Sequence, residues 1–165
     1  MQIPGSVQAK LLEQVTAEFS AAHKYLAMAC ALDAMGLKFL CRRFLKQHEE
    51  EREHAMKFVN YLREVGATVT LESIPKPKGD YKSAEDIVSG SVESERHVTR
   101  LIHELVALAE KERDFATRSF LNWFVDEQVE EVATMTDLLR VVQLAGANLL
   151  QVEAFIRHTM VEDKD

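Results

Sequence analysis

Apolar residues recur every three or four positions along most of the chain, which is the period of an amphipathic α-helix. Four long helices are predicted, from Ser6 to about Met35, from about Leu37 to Val65, from Ser83 to about Lys111 and from Phe115 to about Ala145. A shorter helix, from about Ala147 to Met160, follows them. The pattern therefore predicts an all-α protein.

Residues that favour helix ends lie at the predicted boundaries. Helix starts are assigned to three residues with side chains that can accept a hydrogen bond from the first turn: Ser6, Ser83 and Asp114. Helix ends are assigned to three glycines, Gly36, Gly66 and Gly146. The segment Ser83-Ala-Glu-Asp86 resembles a capping box with Asp in place of the usual Glu.

The connections predict how the helices are arranged. Short turns after the first and third helices make antiparallel pairs, whereas residues 67–82 are long enough to cross the length of a bundle. We therefore expect a single domain over residues 1–165: a four-helix bundle over about 6–145 with one long crossover, and a fifth helix over about 147–160. The fifth helix has its own apolar stripe, so we expect it to pack at a bundle end or between subunits; the stripe comprises Leu149, Val152, Ile156 and Met160.

Each long helix carries polar residues near the middle of its apolar stripe. These residues are Glu18 in the first helix, His48, Glu51 and His54 in the second, Ser91 and Glu95 in the third, and Gln128 and Glu131 in the fourth. A lone buried carboxylate costs several kcal/mol, and neighbouring carboxylates repel one another. Because no Lys or Arg falls on these stripes, a multivalent cation is favoured over the alternative, a buried ion-pair network.

The spacing of these residues repeats in the two halves of the chain. Glu51 and His54 follow Glu18 by 33 and 36 residues, and Gln128 and Glu131 follow Glu95 by the same intervals. In an antiparallel bundle such positions converge at one level. The predicted ligands are Glu18, Glu51, His54, Glu95 and Glu131, with Gln128 nearby. This oxygen-rich set with one imidazole suits iron or manganese better than structural zinc, and its four carboxylates offset most of the charge of two divalent ions.

Charge and composition narrow the classes of partner. The chain has 20 Lys and Arg against 27 Asp and Glu, a net charge of −7, which disfavours nucleic acid and anionic membranes and suits cations. The longest apolar run, residues 25–32, is too short to span a bilayer, and the N-terminus lacks a basic segment followed by an apolar one. We therefore expect a cytoplasmic protein.

At these positions the chain resembles the ferritins, specifically the haem-free bacterial type. The resemblance extends over essentially the whole chain and rests on Glu18 with Tyr25, Glu51-Arg-Glu-His54, Glu95-Arg-His and Trp123-Phe-Val-Asp-Glu-Gln-Val-Glu-Glu131. It implies a ferroxidase centre in which Glu18, Glu51 and His54 hold one iron. Glu51, Glu95 and Glu131 would hold the second, so that Glu51 bridges the pair. Gln128 would lie beside the pair, bonded to a water or dioxygen.

The resemblance leaves the role of two further groups open. Tyr25 matches the tyrosine beside ferritin centres and is either an electron donor or a core tyrosine with a bonded hydroxyl. Three more carboxylates match a third iron site that shares Glu131, or alternatively line a solvated face: Glu50, Glu127 and Glu130. No haem is expected, because Arg52 takes the place of the haem-ligating Met of bacterioferritins and Gln128-Val-Glu-Glu131 ends in Glu, not His.

The function implied by the resemblance is storage. Fe(II) would be oxidised by O₂ or H₂O₂, and the ferric product kept as a mineral inside a hollow homo-oligomeric shell of 24 subunits. Two alternatives remain open. One is a di-iron peroxidase or oxygenase that stores nothing, and the other is a metal-free helical interaction module whose polar core residues set specificity.

Overall fold

The computed structural model describes residues 3–162 and, within them, the side chains of residues 3–159. It contains five α-helices: α1 (Gly5–Ala34), α2 (Lys38–Glu64), α3 (Ala84–Lys111), α4 (Phe115–Ala145) and α5 (Leu149–Glu162). The predicted all-α class is confirmed, with every helix in the expected place. The side chain of Met160, predicted to belong to the apolar stripe of the fifth helix, lies outside the described residues.

The start of α1 differs from the prediction. Ser6 was expected to cap this helix, but it lies within the first turn, and Pro4 precedes the helix without a side-chain cap. The ring of Pro4 holds its φ at −57°, and its carbonyl accepts the first hydrogen bond, from the Gln8 N–H at 2.9 Å. The helix therefore begins at Gly5.

The two other predicted caps are confirmed. The hydroxyl of Ser83 accepts a hydrogen bond from the Asp86 N–H at 3.1 Å, and the Asp114 carboxylate accepts one from the Thr117 N–H at 3.0 Å. The Asp86 carboxylate accepts from the Lys82 N–H at 3.0 Å, one residue before the partner it would have in a standard capping box. Each cap satisfies an N–H group that the helix itself leaves without an acceptor.

Two apolar clusters establish the directions of the helices. The first cluster combines the C-terminal halves of α1 and α4 with the N-terminal halves of α2 and α3, and it includes Leu32 and Leu40. The second combines the four opposite halves, and it includes Leu11 and Leu62. Helices α1 and α4 therefore run one way and α2 and α3 the other. The parallel pair α2 and α3 needs a connection along the whole bundle, and residues 65–83 provide it.

The predicted polar residues lie between the two clusters. This polar layer comprises Glu18, Glu51, His54, Glu95, Gln128 and Glu131, all of which are buried. No Cα atom of α2 lies within 8 Å of a Cα atom of α4, so those two helices approach one another through long side chains alone. A cavity between α2 and α4 reaches the polar layer at Glu131.

Helix α5 packs on the end of the bundle, the first of its two expected positions. Val152 and Ile156 are buried in the first apolar cluster. The Glu153 carboxylate accepts hydrogen bonds from the backbone N–H groups of Phe39 and Leu40, both at 2.9 Å. Because α2 has no side-chain cap of its own, Glu153 caps it from a distant part of the chain. Among the described residues, no helix has the length and apolar character that a bilayer span requires.

Candidate metal centre

The structure brings together all five residues predicted as metal ligands. One ligand atom each from Glu18, Glu51 and His54 lie within 4.8 Å of one another, and the same is true of Glu51, Glu95 and Glu131. Glu51 belongs to both groups and is 1% exposed. Two cation positions with one carboxylate in common therefore fit the arrangement.

Two buried carboxylate oxygens support this interpretation. Glu18 Oε2 and Glu51 Oε2 accept no hydrogen bond from any residue that the structure describes. Their other oxygens accept bonds from amide groups, at 2.9 Å from Gln14 Nε2 to Glu18 Oε1 and at 3.2 Å from Gln47 Nε2 to Glu51 Oε1. An unpartnered carboxylate oxygen is costly inside a protein unless a cation compensates it. The donor set therefore fits a pair of hard cations.

Three carboxyl groups of the layer, those of Glu18, Glu95 and Glu131, have raised pKa values in the absence of metal. Burial, followed by repulsion from Glu51, raises the pKa of Glu95 to about 8. Burial and the charge of Glu95 raise the pKa of Glu131 to about 9, and burial with the charge of Glu51 raises the pKa of Glu18 well above its ordinary value. A bound cation stabilises the ionised carboxylates, so metal binding and proton release are coupled.

Tyr25 lies fully buried beside this group. Its hydroxyl donates a hydrogen bond to Glu95 Oε1, and its ring packs against Phe44 with the centroids 5.6 Å apart. Burial, and then the charge of Glu95, raise the pKa of the phenol well above its usual range. Tyr25 is thus buried, and its hydroxyl is bonded to a predicted metal ligand, an arrangement that agrees with either of its two predicted roles.

Gln128 also contacts Glu95, from α4. Its Nε2 atom lies 3.3 Å from the Glu95 carbonyl oxygen and 3.4 Å from Glu95 Oε2. The same nitrogen donates to the Thr99 hydroxyl at 3.1 Å. Gln128 therefore holds Glu95 in place and belongs to the layer that surrounds the predicted ligands.

The carboxylates of the predicted third site are partly brought together. Glu50, Glu127 and Glu130 join Glu131 around a cavity of about 120 Å³ between α2 and α4. Glu127 also forms a three-ligand group with His54 and Glu131, within 4.8 Å. Glu50 and Glu130 are not part of this group. Glu130 is exposed, and the Glu50 carboxylate lies 3.6 Å from the basic groups of Arg43 and Lys46.

Sequence reasoning missed Gln47 and misplaced His48. Gln47 is fully buried, and its Nε2 donates to both Glu51 Oε1 and Glu131 Oε2. His48, predicted on the inner row, is half-buried, and its Nδ1 lies 2.8 Å from the Ala22 carbonyl oxygen. Both positions are polar, so apolar periodicity does not choose between them. The spacing of four residues from Gln47 to Glu51 is the signal that could have identified Gln47.

A basic residue, Arg43, also reaches the polar layer although the stripes contain none. Its guanidinium donates to Gln47 Oε1 at 3.1 Å and lines the cavity between α2 and α4. Arg43 lies one turn before Gln47 on α2, beside the apolar stripe, and its length carries the charge inward. The stripes themselves contain no Lys or Arg, as the sequence shows, but a cationic side chain from beside the stripe reaches the edge of the layer.

Comparison with known proteins places this site in a defined class. Residues 8–145 match the Ferritin-like domain, a helical bundle that here encloses a carboxylate-rich layer. The chain is 36% identical over 152 residues to Ferritin BfrB of Mycolicibacterium smegmatis, covering 92% of this chain and 84% of that protein. It is 40% identical over 124 residues to the bacterial non-heme ferritin of Staphylococcus haemolyticus, covering 75% of each.

A solved structure agrees with the sequence comparisons. The open pore ferritin of the archaeon Archaeoglobus fulgidus superimposes with a TM-score of 0.91 and 36% identity, over 93% of this chain and 96% of that one. The chain belongs to the ferritin family, whose members store iron.

Proposed function

We propose that this chain is the subunit of an iron-storage ferritin with ferroxidase activity. The observation that carries the proposal is the position of Glu51, which is shared by two three-ligand groups and keeps one buried oxygen without a hydrogen-bond partner. Glu18, Glu51 and His54 would hold one Fe(II), and Glu51, Glu95 and Glu131 the other. Iron is the substrate, so the ligands must hold it long enough for oxidation and then release it.

The residues around the iron pair orient the ligands. Gln14 donates to Glu18, Gln47 to Glu51 and Glu131, and Gln128 to Glu95. Each of the four carboxylates is therefore held by an amide group. The apolar clusters on both sides of the layer exclude bulk water along the bundle axis. Iron and oxidant would therefore enter sideways, through the opening between α2 and α4.

Electrons and protons balance in the reaction. Two Fe(II) ions lose one electron each, and the two electrons with two protons convert O₂ to H₂O₂, or convert H₂O₂ to two waters. The carboxyl protons that iron binding displaces are one source of those protons. Hydrolysis of the ferric product gives the mineral, which would collect inside a hollow shell of 24 subunits. The names of the relatives, Ferritin BfrB and bacterial non-heme ferritin, support storage as the purpose of the reaction.

Tyr25 is proposed as an additional electron donor. Its hydroxyl already donates to Glu95, so the proton has an acceptor in place when the phenol gives an electron to the oxidant. Glu50, Glu127 and Glu130, together with Glu131, are proposed to hold a third iron beside the pair. The net charge of −7 agrees with partners that are cations, and a cytoplasmic location is part of the proposal.

A single experiment separates this function from its alternatives. Metal-free protein is mixed in a stopped-flow instrument with two Fe(II) per subunit in air, and the particle size of the same sample is measured. Fast oxidation in a particle of about 24 subunits supports a storage ferroxidase. Fast oxidation in a dimer favours a di-iron peroxidase or oxygenase. Oxidation no faster than in buffer would contradict the metal centre.

A further inference from the structure

We propose that Arg43 is a built-in counter-cation, whose guanidinium competes with a metal ion for the third cation position between α2 and α4. The inference rests on the proposed iron function, because it concerns how that site is occupied. This competition would make the affinity for a third cation lower than the affinity for the first two. Arg43 would have to leave its present contacts before a third divalent cation binds.

The guanidinium of Arg43 lies beside the carboxylates proposed for the third cation. Arg43 Nη1 lies 3.1 Å from Gln47 Oε1 and 3.6 Å from Glu50 Oε2, and the side chain is 19% exposed. It lines the same 120 Å³ cavity as Glu127, Glu130 and Glu131. Glu50 is one of the carboxylates proposed to hold the third cation, so a cation that binds Glu50 competes with Arg43 for it.

The positive charge of Arg43 is permanent. A guanidinium stays protonated at every physiological pH, so Arg43 does not become neutral when a cation approaches. This charge lies 3.6 Å from Glu50 Oε2 and at the wall of the cavity, so it repels a cation that approaches these carboxylates.

Gln47 connects this counter-cation to the iron pair. Because Gln47 Oε1 accepts from Arg43, its Nε2 must face the carboxylates of Glu51 and Glu131. If a third cation displaced Arg43, Gln47 Oε1 would lose its donor. The same cation would replace Gln47 Nε2 as the partner of Glu131. The pair and the third position would then be filled in order, the pair first.

Lys46 supplies a matched control on the same helix. Its amine also lies 3.6 Å from Glu50, but its side chain is 52% exposed and outside the cavity. Water and salt screen an exposed charge much more than an enclosed one. Removing the charge of Lys46 should therefore affect the third position far less than removing that of Arg43.

The test is calorimetric titration of the assembled, metal-free protein with Zn²⁺, which does not undergo oxidation. Four proteins are compared: the wild type, R43Q, R43K and K46Q. We expect two tight ions per subunit in all four, and a third whose affinity rises on the order of tenfold in R43Q, as expected when one charge at close range is removed. In R43K and K46Q the affinity for the third ion should stay within about twofold of the wild-type value, since each protein keeps a cationic side chain at position 43.

Several results would overturn the inference. If R43Q bound the third Zn²⁺ no more tightly than the wild type, or if K46Q gained as much affinity for it as R43Q, Arg43 would not be the residue that competes for this position. Loss of the two tight ions in R43Q would make Arg43 a residue that only positions the pair. If the wild type binds no tight pair at all, the proposed function fails as well, which the same titration reveals.

A crystallographic measurement on the wild type does not depend on any variant. Crystals soaked in limiting Zn²⁺ should show two ions and the Arg43–Gln47 contact intact. Crystals soaked in excess Zn²⁺ should show a third ion beside Glu127 and Glu131, with the guanidinium turned away from Gln47. A third ion in the cavity next to an unmoved Arg43 would contradict the proposal.

Discussion

The Tyr25 hydroxyl donates a hydrogen bond to the Glu95 carboxylate and so joins α1 to α3 across the polar layer. Glu95 is approached from α4 by Gln128 as well, with Nε2 3.4 Å from Glu95 Oε2. The carboxylate is therefore oriented by two donors on two helices before any cation arrives. This preorganisation reduces the movement that metal binding requires.

Tyr25→Phe tests the hydrogen bond and the proposed electron transfer together. Loss of the hydroxyl leaves Glu95 Oε1 without its donor, so the metal-free protein should lose about 1 kcal/mol of stability in urea unfolding. Two Zn²⁺ per subunit should still bind, because no ligand atom is removed. Rapid freezing during oxidation should give a tyrosyl radical signal in the wild type alone, and an equal signal in the variant would exclude Tyr25 as the donor.

Glu51→Ala should affect both iron positions, whereas His54→Ala should mainly affect one. Removal of the shared carboxylate should slow the initial oxidation of two Fe(II) per subunit by more than about 100-fold. Rates must be compared at low iron loading, since at high loading oxidation on the mineral surface masks the rate of oxidation at the centre. Glu53→Ala is the control, because Glu53 is exposed on the same helix. Oxidation at the wild-type rate in Glu51→Ala would refute the assignment.

The raised pKa values predict that the metal-free protein loses stability as the pH rises. Glu95, with a pKa of about 8, and Glu131, with a pKa of about 9, keep their protons in the folded state, whereas the unfolded chain releases them near 4.5. Between about pH 5 and 9 the folded state thus binds more protons, and the free energy of unfolding falls with rising pH.

Urea unfolding of metal-free protein across this pH range provides the measurement. Glu95→Gln should flatten the pH dependence, because a neutral amide has no proton to hold. Saturating Zn²⁺ should also remove it, since the cation replaces the protons. A stability that rises from pH 5 to 9 in the metal-free wild type would contradict the electrostatic description of the layer.

Glu153→Ala should loosen the end of the bundle where α5 caps α2. Without the carboxylate, the N–H groups of Phe39 and Leu40 lose their acceptor, which costs about 1 kcal/mol for a helix cap. Hydrogen exchange of those two amides should accelerate by about fivefold, while exchange at the middle of α2 stays unchanged. Glu153→Gln keeps an acceptor oxygen and should show a smaller effect. Unchanged exchange in Glu153→Ala would mean that other groups protect these amides.

Much of the helical framework was predictable because the signals are local. Apolar periodicity depends on residues three and four apart, and caps such as Ser83 and Asp114 act within one turn. Ser6 was misassigned because Pro4 already starts the helix, a competition that capping preference alone does not resolve. Glu153 could not be recognised as a cap for α2, since its partners lie more than 100 residues away.

The five helices, the crossover and the residues of the polar layer follow from local patterns in the sequence, because carboxylates at matching intervals stand out against an apolar stripe. The contacts between these residues depend on the folded structure. The orientation of Gln47, the bond from Tyr25 to Glu95 and the entry of the Arg43 guanidinium depend on side chains that reach across helices. Distances of this kind follow from the packing of whole helices, which no spacing along one chain specifies.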